Sequence, residues 1–324
     1  VAASARLAVV GENIIDLVPL GGSTTDYRAL PGGSPANIAV AASRLGTPTA
    51  LVARVSTDVF GGRVRTRLAA DGVLGTHLVD AAEPSSLAVV TFDAERRASY
   101  DFWLTGTADW QWTDTELARP LGEEVRGVHV GSIAAYREPG ASALTRMLRR
   151  ERERGAVTVS LDPNVRPAVI GGIDHARRRT EELVGLADVV KASDEDLDLL
   201  YPGVDHVAAA RRLLAMGPSL VVVTRGADGA LGVGRAAEAE VPTPKVDLVD
   251  TVGAGDTFMG ALLHALDRRG LLGGAAAERL AATDAATLAD LLTTAATAAA
   301  LNCTREGADP PTAGELAKAL AGTG

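Results

Sequence analysis

The sequence predicts an α/β fold organised around a mostly parallel sheet, on three observations. Short apolar runs alternate with longer helical patterns along most of the chain. Several of these runs end directly in turns rich in glycine and polar residues, where parallel sheets present groups to ligands. The 324 residues are 47% hydrophobic and 23% charged, enough to bury a large core. No linker or internal repeat divides them. One domain over residues 1–324 is expected, with inserted segments near 13–30 and 85–104.

Leu7–Val10 reads as the first strand. Asn13-Ile14-Ile15 is strand-like and ends at Asp16, whose carboxylate suits hydrogen bonds from paired hydroxyls. Pro31-Gly32-Gly33-Ser34-Pro35-Ala36-Asn37 is a glycine turn that opens a helix. Ser34 offers a capping hydroxyl, Pro35 fits the first turn, and the helix runs through Ala36–Leu45 to Gly46. Gly32 and Gly33 let a ligand approach the backbone, and Asn37 offers both donors and an acceptor. Further strands are expected at Ala50–Val55, Gly127–Val130, Val157–Leu161, Asp188–Lys191 and Leu220–Thr224. Helices are expected at Gly140–Arg154, Ala176–Leu186, Thr257–Asp267, near Ala285–Leu301, and at Thr312–Leu320.

Two segments break this alternation. Asn13–Leu30 and Ser85–Leu104 read as strands and turns. The second is a hairpin around a charged turn, and it carries Tyr100 and Phe102 in a chain only 3% aromatic. Such a hairpin serves as a lid over a small-molecule site, as an edge, or as a contact between copies.

The most informative stretch is Asp250-Thr251-Val252-Gly253-Ala254-Gly255-Asp256-Thr257-Phe258. Glycines uncover backbone N–H groups, and the start of a helix favours anionic oxygen. Asp256 in such a nest is either an ordinary cap or a base beside a bound phosphoryl group. Other strand-end loops offer more polar groups. Asp162, Asn164 and Arg166 follow one strand, where arginine suits a phosphate or carboxylate. Lys191, Ser193 and the acids Asp194, Glu195 and Asp196 follow another. Those acids favour a helix N-terminus or hold the water shell of magnesium. Thr224, Gly226 and Gly229 lie in a third such turn, plausible against a nucleotide.

Composition removes other classes. The net charge of -9 argues against a general nucleic-acid or anionic-membrane surface. One cysteine, Cys303, excludes an internal disulfide and a cysteine-based zinc cluster, and the five histidines show no metal-ligand spacing. No signal-like N-terminus or membrane-length apolar run is present, so a cytoplasmic location is expected. Gly232–Ala237 satisfies a loose dinucleotide pattern but sits in an expected hairpin with no helix after it. Neither a Walker phosphate loop nor a Gly-x-Ser-x-Gly elbow occurs.

With the 31–37 turn and the 250–258 loop in this order, the chain resembles the ribokinase-like carbohydrate kinases of the PfkB family over nearly its whole length. The resemblance implies a three-layer sandwich with a central mostly parallel sheet and a small β lid. It implies ATP-dependent phosphorylation of a primary sugar hydroxyl with Mg2+, with Asp256 as base and Gly253, Ala254 and Gly255 as the anion hole. Asp16, Gly32, Gly33, Asn37, Tyr100, Phe102 and Arg166 would face the sugar. Lys191, Ser193, Thr224, Gly226, Gly229 and Asn302 would lie near the nucleotide. Asp196 would order magnesium waters, and Asp250 and Val252 would hold a monovalent cation such as K+. Where the family commonly has Asn-x-x-Glu, this chain has Ser193-Asp194-Glu195-Asp196, a shorter acid. The early motifs and the hairpin are similar to fructokinases, and the Arg166 loop also to 2-keto-3-deoxygluconate kinases. A homodimer through the lid fits the resemblance. A non-catalytic sensor on the same fold would have a damaged base or nest, and neither is damaged here.

Overall fold

Leu7 and Val9 face one side of a central sheet and Ala8 and Val10 the other, and all four are buried. That period-two pattern on an entirely apolar strand requires a cover on both faces. In the computed structural model, residues 4–21, 23, 25–92, 98–167 and 169–322 are described, and the charged turn of the expected hairpin, 93–97, lies outside them.

In chain order the elements begin with β1 (Leu7–Val10), β2 (Ile14–Pro19), β3 (Tyr27–Gly32), α1 (Ser34–Arg44), β4 (Thr49–Ser56), α2 (Val59–Ala70) and β5 (Leu74–Ala81). Next come β6 (Ser86–Phe92), β7 (Ala98–Trp103), α3 (Asp114–Leu117), β8 (Gly127–Gly131), α4 (Gly140–Arg154), β9 (Thr158–Asp162) and α5 (Ile173–Val184). They continue with β10 (Val189–Ser193), α6 (Asp194–Leu200), α7 (His206–Leu214), β11 (Leu220–Thr224), β12 (Ala230–Gly234) and β13 (Glu238–Val241). The chain closes with α8 (Ala254–Arg268), α9 (Ala277–Ala281), α10 (Ala285–Asn302) and α11 (Ala313–Ala321).

The central sheet has nine strands in the order β13-β12-β11-β10-β9-β8-β1-β4-β5, with every neighbouring pair parallel except β11–β12 and β12–β13. Helices α1, α8 and α10 cover one face, packing on Leu7, Val9, Leu51 and Val222. Helices α4, α5, α6 and α7 cover the other, packing on Val10, Val130, Leu161 and Val221. The result is the expected three-layer α/β sandwich. Strand order reverses beside β1, which pairs with β4 on one side and β8 on the other. A crevice opens at the carboxyl ends of strands at such a switch point.

The two inserted segments join into a separate four-stranded sheet, β3-β2-β6-β7. Ile14, Ala88, Leu104, Trp110, Ile133 and Ala134 form a small core of their own that seats this sheet beside the end of β8. Asp16 does not end its strand. It lies inside β2, opposite Leu30 and Ala88, because the run continues through Leu17 and Val18.

Ser34 is not the cap of α1. The cap position is Gly33, with φ +94° and no side-chain capping bond, which frees the Ser34 hydroxyl for another partner. Gly232 serves packing in the β12–β13 hairpin, where a Cβ would come within 3.0 Å of Leu288. Among the described residues no helix is long and apolar enough to cross a membrane.

Candidate active site

The glycine nest is built by sterics and then fastened. Gly253 caps α8 at φ +74°, and a Cβ there would fall 2.5 Å from that of Ala308. Only glycine fits that position. Asp250 accepts hydrogen bonds from the backbone N–H groups of Val252 at 3.0 Å and Gly307 at 2.8 Å. Asn302 donates its amide to the Val252 carbonyl at 2.8 Å and accepts from the Thr257 hydroxyl at 3.2 Å. Its side chain is fully buried, so Asn302, expected beside a nucleotide, lies under the loop as its fastener. The Ala254 N–H, expected in the anion hole, donates to the Thr251 carbonyl at 3.2 Å, while the first-turn N–H groups of Gly255 and Asp256 have no backbone partner among the described residues and suit anionic oxygen.

Asp256 stands in that first turn and reaches across to α1. Its Oδ1 accepts from the Ser34 hydroxyl at 2.6 Å and its Oδ2 from the Asn37 amide at 2.9 Å. The other end of that amide, Asn37 Oδ1, is buried with no hydrogen-bond partner among the described residues. A buried acceptor without a donor is costly, and a ligand hydroxyl would satisfy it. Asp16 presses on the same turn, since a Cβ on Gly32 would fall 2.2 Å from its Oδ2. Burial pushes Asp16 up to about 7, with Arg67 pulling it down and Asp256 adding to the push. Arg67 itself donates to the carbonyls of Pro31 and Ala308, tying the first glycine turn to the turn that packs on Gly253.

Behind the nest lies a buried ion pair. Lys191 Nζ donates to Asp162 Oδ2 at 2.9 Å, and a Cβ on Gly255 would be 3.2 Å from that nitrogen. Burial favours the neutral amine, but Asp162, Asp196 and Asp256 outweigh it and hold Lys191 charged. Burial also raises Asp162, to about 6, against the pull of Lys191.

The adjacent acidic turn is structural in its visible bonds. Ser193 caps α6, accepting from the Asp196 N–H at 3.0 Å, and its own N–H donates to Asp196 Oδ2 at 3.0 Å. Asp196 Oδ1 accepts from the Val165 N–H at 2.7 Å. The acid expected to order magnesium waters therefore holds the β9 loop with one oxygen and caps α6 with the other.

That β9 loop is strained where it meets β8. Ser132 and Asn164 adopt φ of +58° and +41°, and the Asn164 amide donates to the Ser132 hydroxyl at 3.2 Å. Such conformations cluster at functional sites. Arg166 is exposed and donates to the Val165 carbonyl, with no carboxylate partner among the described residues. At the end of β11, Thr224 leads into the Gly226 turn, whose carbonyl accepts from the Thr243 hydroxyl at 2.6 Å. A Cβ on Gly229 would meet the Val241 carbonyl at 2.0 Å. On the small sheet Tyr100 and Phe102 stack with centroids 5.9 Å apart. Burial raises the Tyr100 hydroxyl, with Asp16, Asp250 and Asp256 adding and Arg166 opposing.

One residue of the site carried no signal by spacing. Glu12 is buried and accepts from the N–H groups of Ile133 and Ala134 at 3.3 and 3.1 Å, pinning the turn after β8. Burial pushes it up to about 7. The available sign was a carboxylate one glycine beyond the end of a fully apolar strand.

Among the described residues no group of three histidine, cysteine or acidic side chains is placed to hold a metal ion. Magnesium commonly binds through substrate phosphates and its own waters with few protein ligands.

The family profile of the pfkB family carbohydrate kinases matches residues 4–313. The chain is 35% identical over 264 residues to a fructokinase of Rhizobium leguminosarum bv. trifolii, covering 81% of this chain and 80% of that one. It superimposes on the structure of a Xylella fastidiosa fructokinase with bound ATP at a TM-score of 0.87 and 27% identity, covering 98% of each chain. A Vibrio cholerae O395 fructokinase in its fructose, ADP and calcium ion bound form superimposes at 0.83 with 31% identity, covering 98% of this chain and 99% of that one. With a glycine nest, an aspartate in its first turn and a three-layer sandwich to carry them, this chain belongs to the pfkB family of carbohydrate kinases.

Proposed function

We propose that this kinase transfers the γ-phosphate of ATP to a primary hydroxyl of fructose, giving fructose 6-phosphate, with Asp256 as the base. The observation that carries this reading is the placement of Asp256 in the first turn of the nest, with one α1 donor on each oxygen. Each carboxylate oxygen retains a lone pair, so a sugar hydroxyl has an acceptor beside the anion site. In the reaction the hydroxyl proton passes to Asp256 as the hydroxyl oxygen bonds to phosphorus. The bond from phosphorus to the bridging oxygen breaks, and ADP leaves. The N–H groups of Gly255 and Asp256, which have no backbone partner among the described residues, are the donors available to the charge that develops on the transferred group, with Lys191 beneath Gly255. Magnesium, when bound with ATP, neutralises phosphate charge.

On the sugar side, Asp16 and the free Asn37 Oδ1 supply acceptors, and Gly32 and Gly33 supply an open backbone. Tyr100 and Phe102 offer a stacked aromatic surface. Asp250 and the Val252 carbonyl present oxygen to a monovalent cation such as K+, each already accepting one protein hydrogen bond or more. Leu20, Tyr27 and Trp103 are exposed on and beside the small sheet, which supports pairing of two copies through the lid.

A second reading rests on Arg166. An exposed arginine without a carboxylate partner suits an anionic substrate, and 2-keto-3-deoxygluconate is the matching sugar acid. ADP release with Mg-ATP across fructose, 2-keto-3-deoxygluconate, ribose, adenosine and tagatose separates the two. Selective turnover of fructose upholds the first reading. Selective turnover of the keto acid replaces it and assigns Arg166 to the carboxylate.

A further inference from the structure

The serine before Pro35 has the local setting of a helix cap, yet it caps nothing. The cap of α1 is Gly33 and makes no side-chain bond, while Ser34 sits inside the first turn. Its hydroxyl instead crosses to α8 and donates to Asp256 Oδ1 at 2.6 Å, a bond between residues 222 positions apart. Asn37, one turn along the same helix, donates to Oδ2 at 2.9 Å. These are the two hydrogen bonds to the Asp256 carboxylate among the described residues.

We infer that Ser34 is a positioning residue for the phosphoryl transfer, acting through Asp256. This rests on the reading of Asp256 as the base. The torsion that turns a carboxylate about its own axis is soft and roughly two-fold, so one donor leaves the group free to rotate. Two donors from residues three apart on one helix, one on each oxygen, fix its plane. The helix that carries them is itself locked to α8. A Cβ on Gly260 would meet that of Ala41 at 2.6 Å and the Ile38 carbonyl at 2.9 Å. The donors and the acceptor therefore keep their spacing as a rigid pair.

The bond also opposes a competing contact. Lys191 carries a buried positive charge under the same turn, close enough for Asp256 to help hold it charged. A carboxylate released from Ser34 is free to swing toward that ammonium and away from the sugar hydroxyl. Misplacing a reacting group by about an ångström is able to cost two orders of magnitude in rate. Because Asn37 remains in place, the loss of Ser34 alone is smaller than that.

The test is a cycle of Ser34→Ala, Asp256→Asn and the double variant, with Ser34→Thr as the conservative control. Turnover is read as kcat and as KM for fructose and for ATP, with a thermal melt on each protein. Ser34→Ala is expected to lower kcat about 5- to 20-fold with both KM values within about twofold. Ser34→Thr, which restores a hydroxyl, is expected to recover most of the rate. In the Asp256→Asn background, Ser34→Ala is expected to change the residual rate by less than about twofold, because no base remains to be positioned. A Ser34→Ala enzyme with unchanged kcat, a loss confined to KM, or the same fold loss in both backgrounds overturns the inference. Full turnover by Asp256→Asn alone instead overturns the reading of the base, so the two failures are told apart.

Discussion

The Asn302 amide meets the Val252 carbonyl at 2.8 Å, joining the last turn of α10 to the loop that opens α8. Through this bond and the one from Thr257, a fully buried side chain sets the shape of the anion nest without facing it. Asn302→Ala leaves the buried Thr257 hydroxyl without its acceptor and the partly buried Val252 carbonyl without its donor. We expect a loss of about 1–3 kcal/mol of stability, the cost of one orphaned buried group. Turnover should fall with KM for ATP rising, since the loop loses its floor. Denaturant unfolding and steady-state kinetics check both.

Gly253→Ala tests the nest from above. The new methyl would strike Ala308 at 2.5 Å in a left-handed backbone conformation. That conformation alone costs roughly 1–2 kcal/mol for a residue with a side chain. Relief requires the loop or the 304–310 turn to move, so kcat should fall more than about tenfold, equivalent to about 1.4 kcal/mol on the barrier. A companion Ala308→Gly change removes the 2.5 Å contact but leaves the Ala308 Cα at 2.9 Å, so it should restore only part of the rate. Equal activity in all three proteins would show that the loop geometry is not needed.

On the proposed reading, Asp16 gives the sugar site a pH dependence whose sign follows from its burial. Burial raises it to about 7, against Arg67 and with Asp256. The ionised form accepts from two hydroxyls, and the protonated form loses part of that capacity. KM for fructose should therefore be nearly flat above pH 8 and rise about tenfold between pH 8 and pH 6. Asp16→Asn should have a high KM with little slope over that range. The same shift acts oppositely on stability. The folded chain holds this proton more tightly than the unfolded chain, so the contribution of Asp16 falls as pH rises from the ordinary carboxylate range to about 7.

The layered sheet was legible because its strands are apolar on both faces and end in glycine or polar turns. Leu220–Thr224 and Gly140–Arg154 have the bounds their sequence implies. Helix α2 is obscured by Gly61 and Gly62, and Gly61 is required there because a Cβ would fall 1.8 Å from the Ser56 carbonyl. Strand β5 is at the edge of the sheet, and its half-buried residues do not alternate cleanly.

In the site, sequence reads the residue types well and their partners poorly. Ser34 before a proline has every local mark of a cap, and only the approach of α8 redirects its hydroxyl. Asn302 and Asp196 are polar residues beside glycine or acidic turns, which suggests a ligand in each case. The cap that Asp196 makes with Ser193 is local, but the bonds of Asn302 to Val252 and of Asp196 to Val165 join residues 50 and 31 positions apart. Long-range pairing of this kind is invisible to spacing.

The central claim is that Asp256 accepts the proton of the attacking sugar hydroxyl. Turnover of fructose by Asp256→Asn, measured as ADP release under saturating Mg-ATP, tests it most directly. The amide keeps the shape of the side chain but is no longer a base. The account predicts a folded protein that still binds ATP and loses at least about 100-fold in kcat, the low end of general-base contributions. A variant that turns over fructose within a few fold of the parent would contradict it.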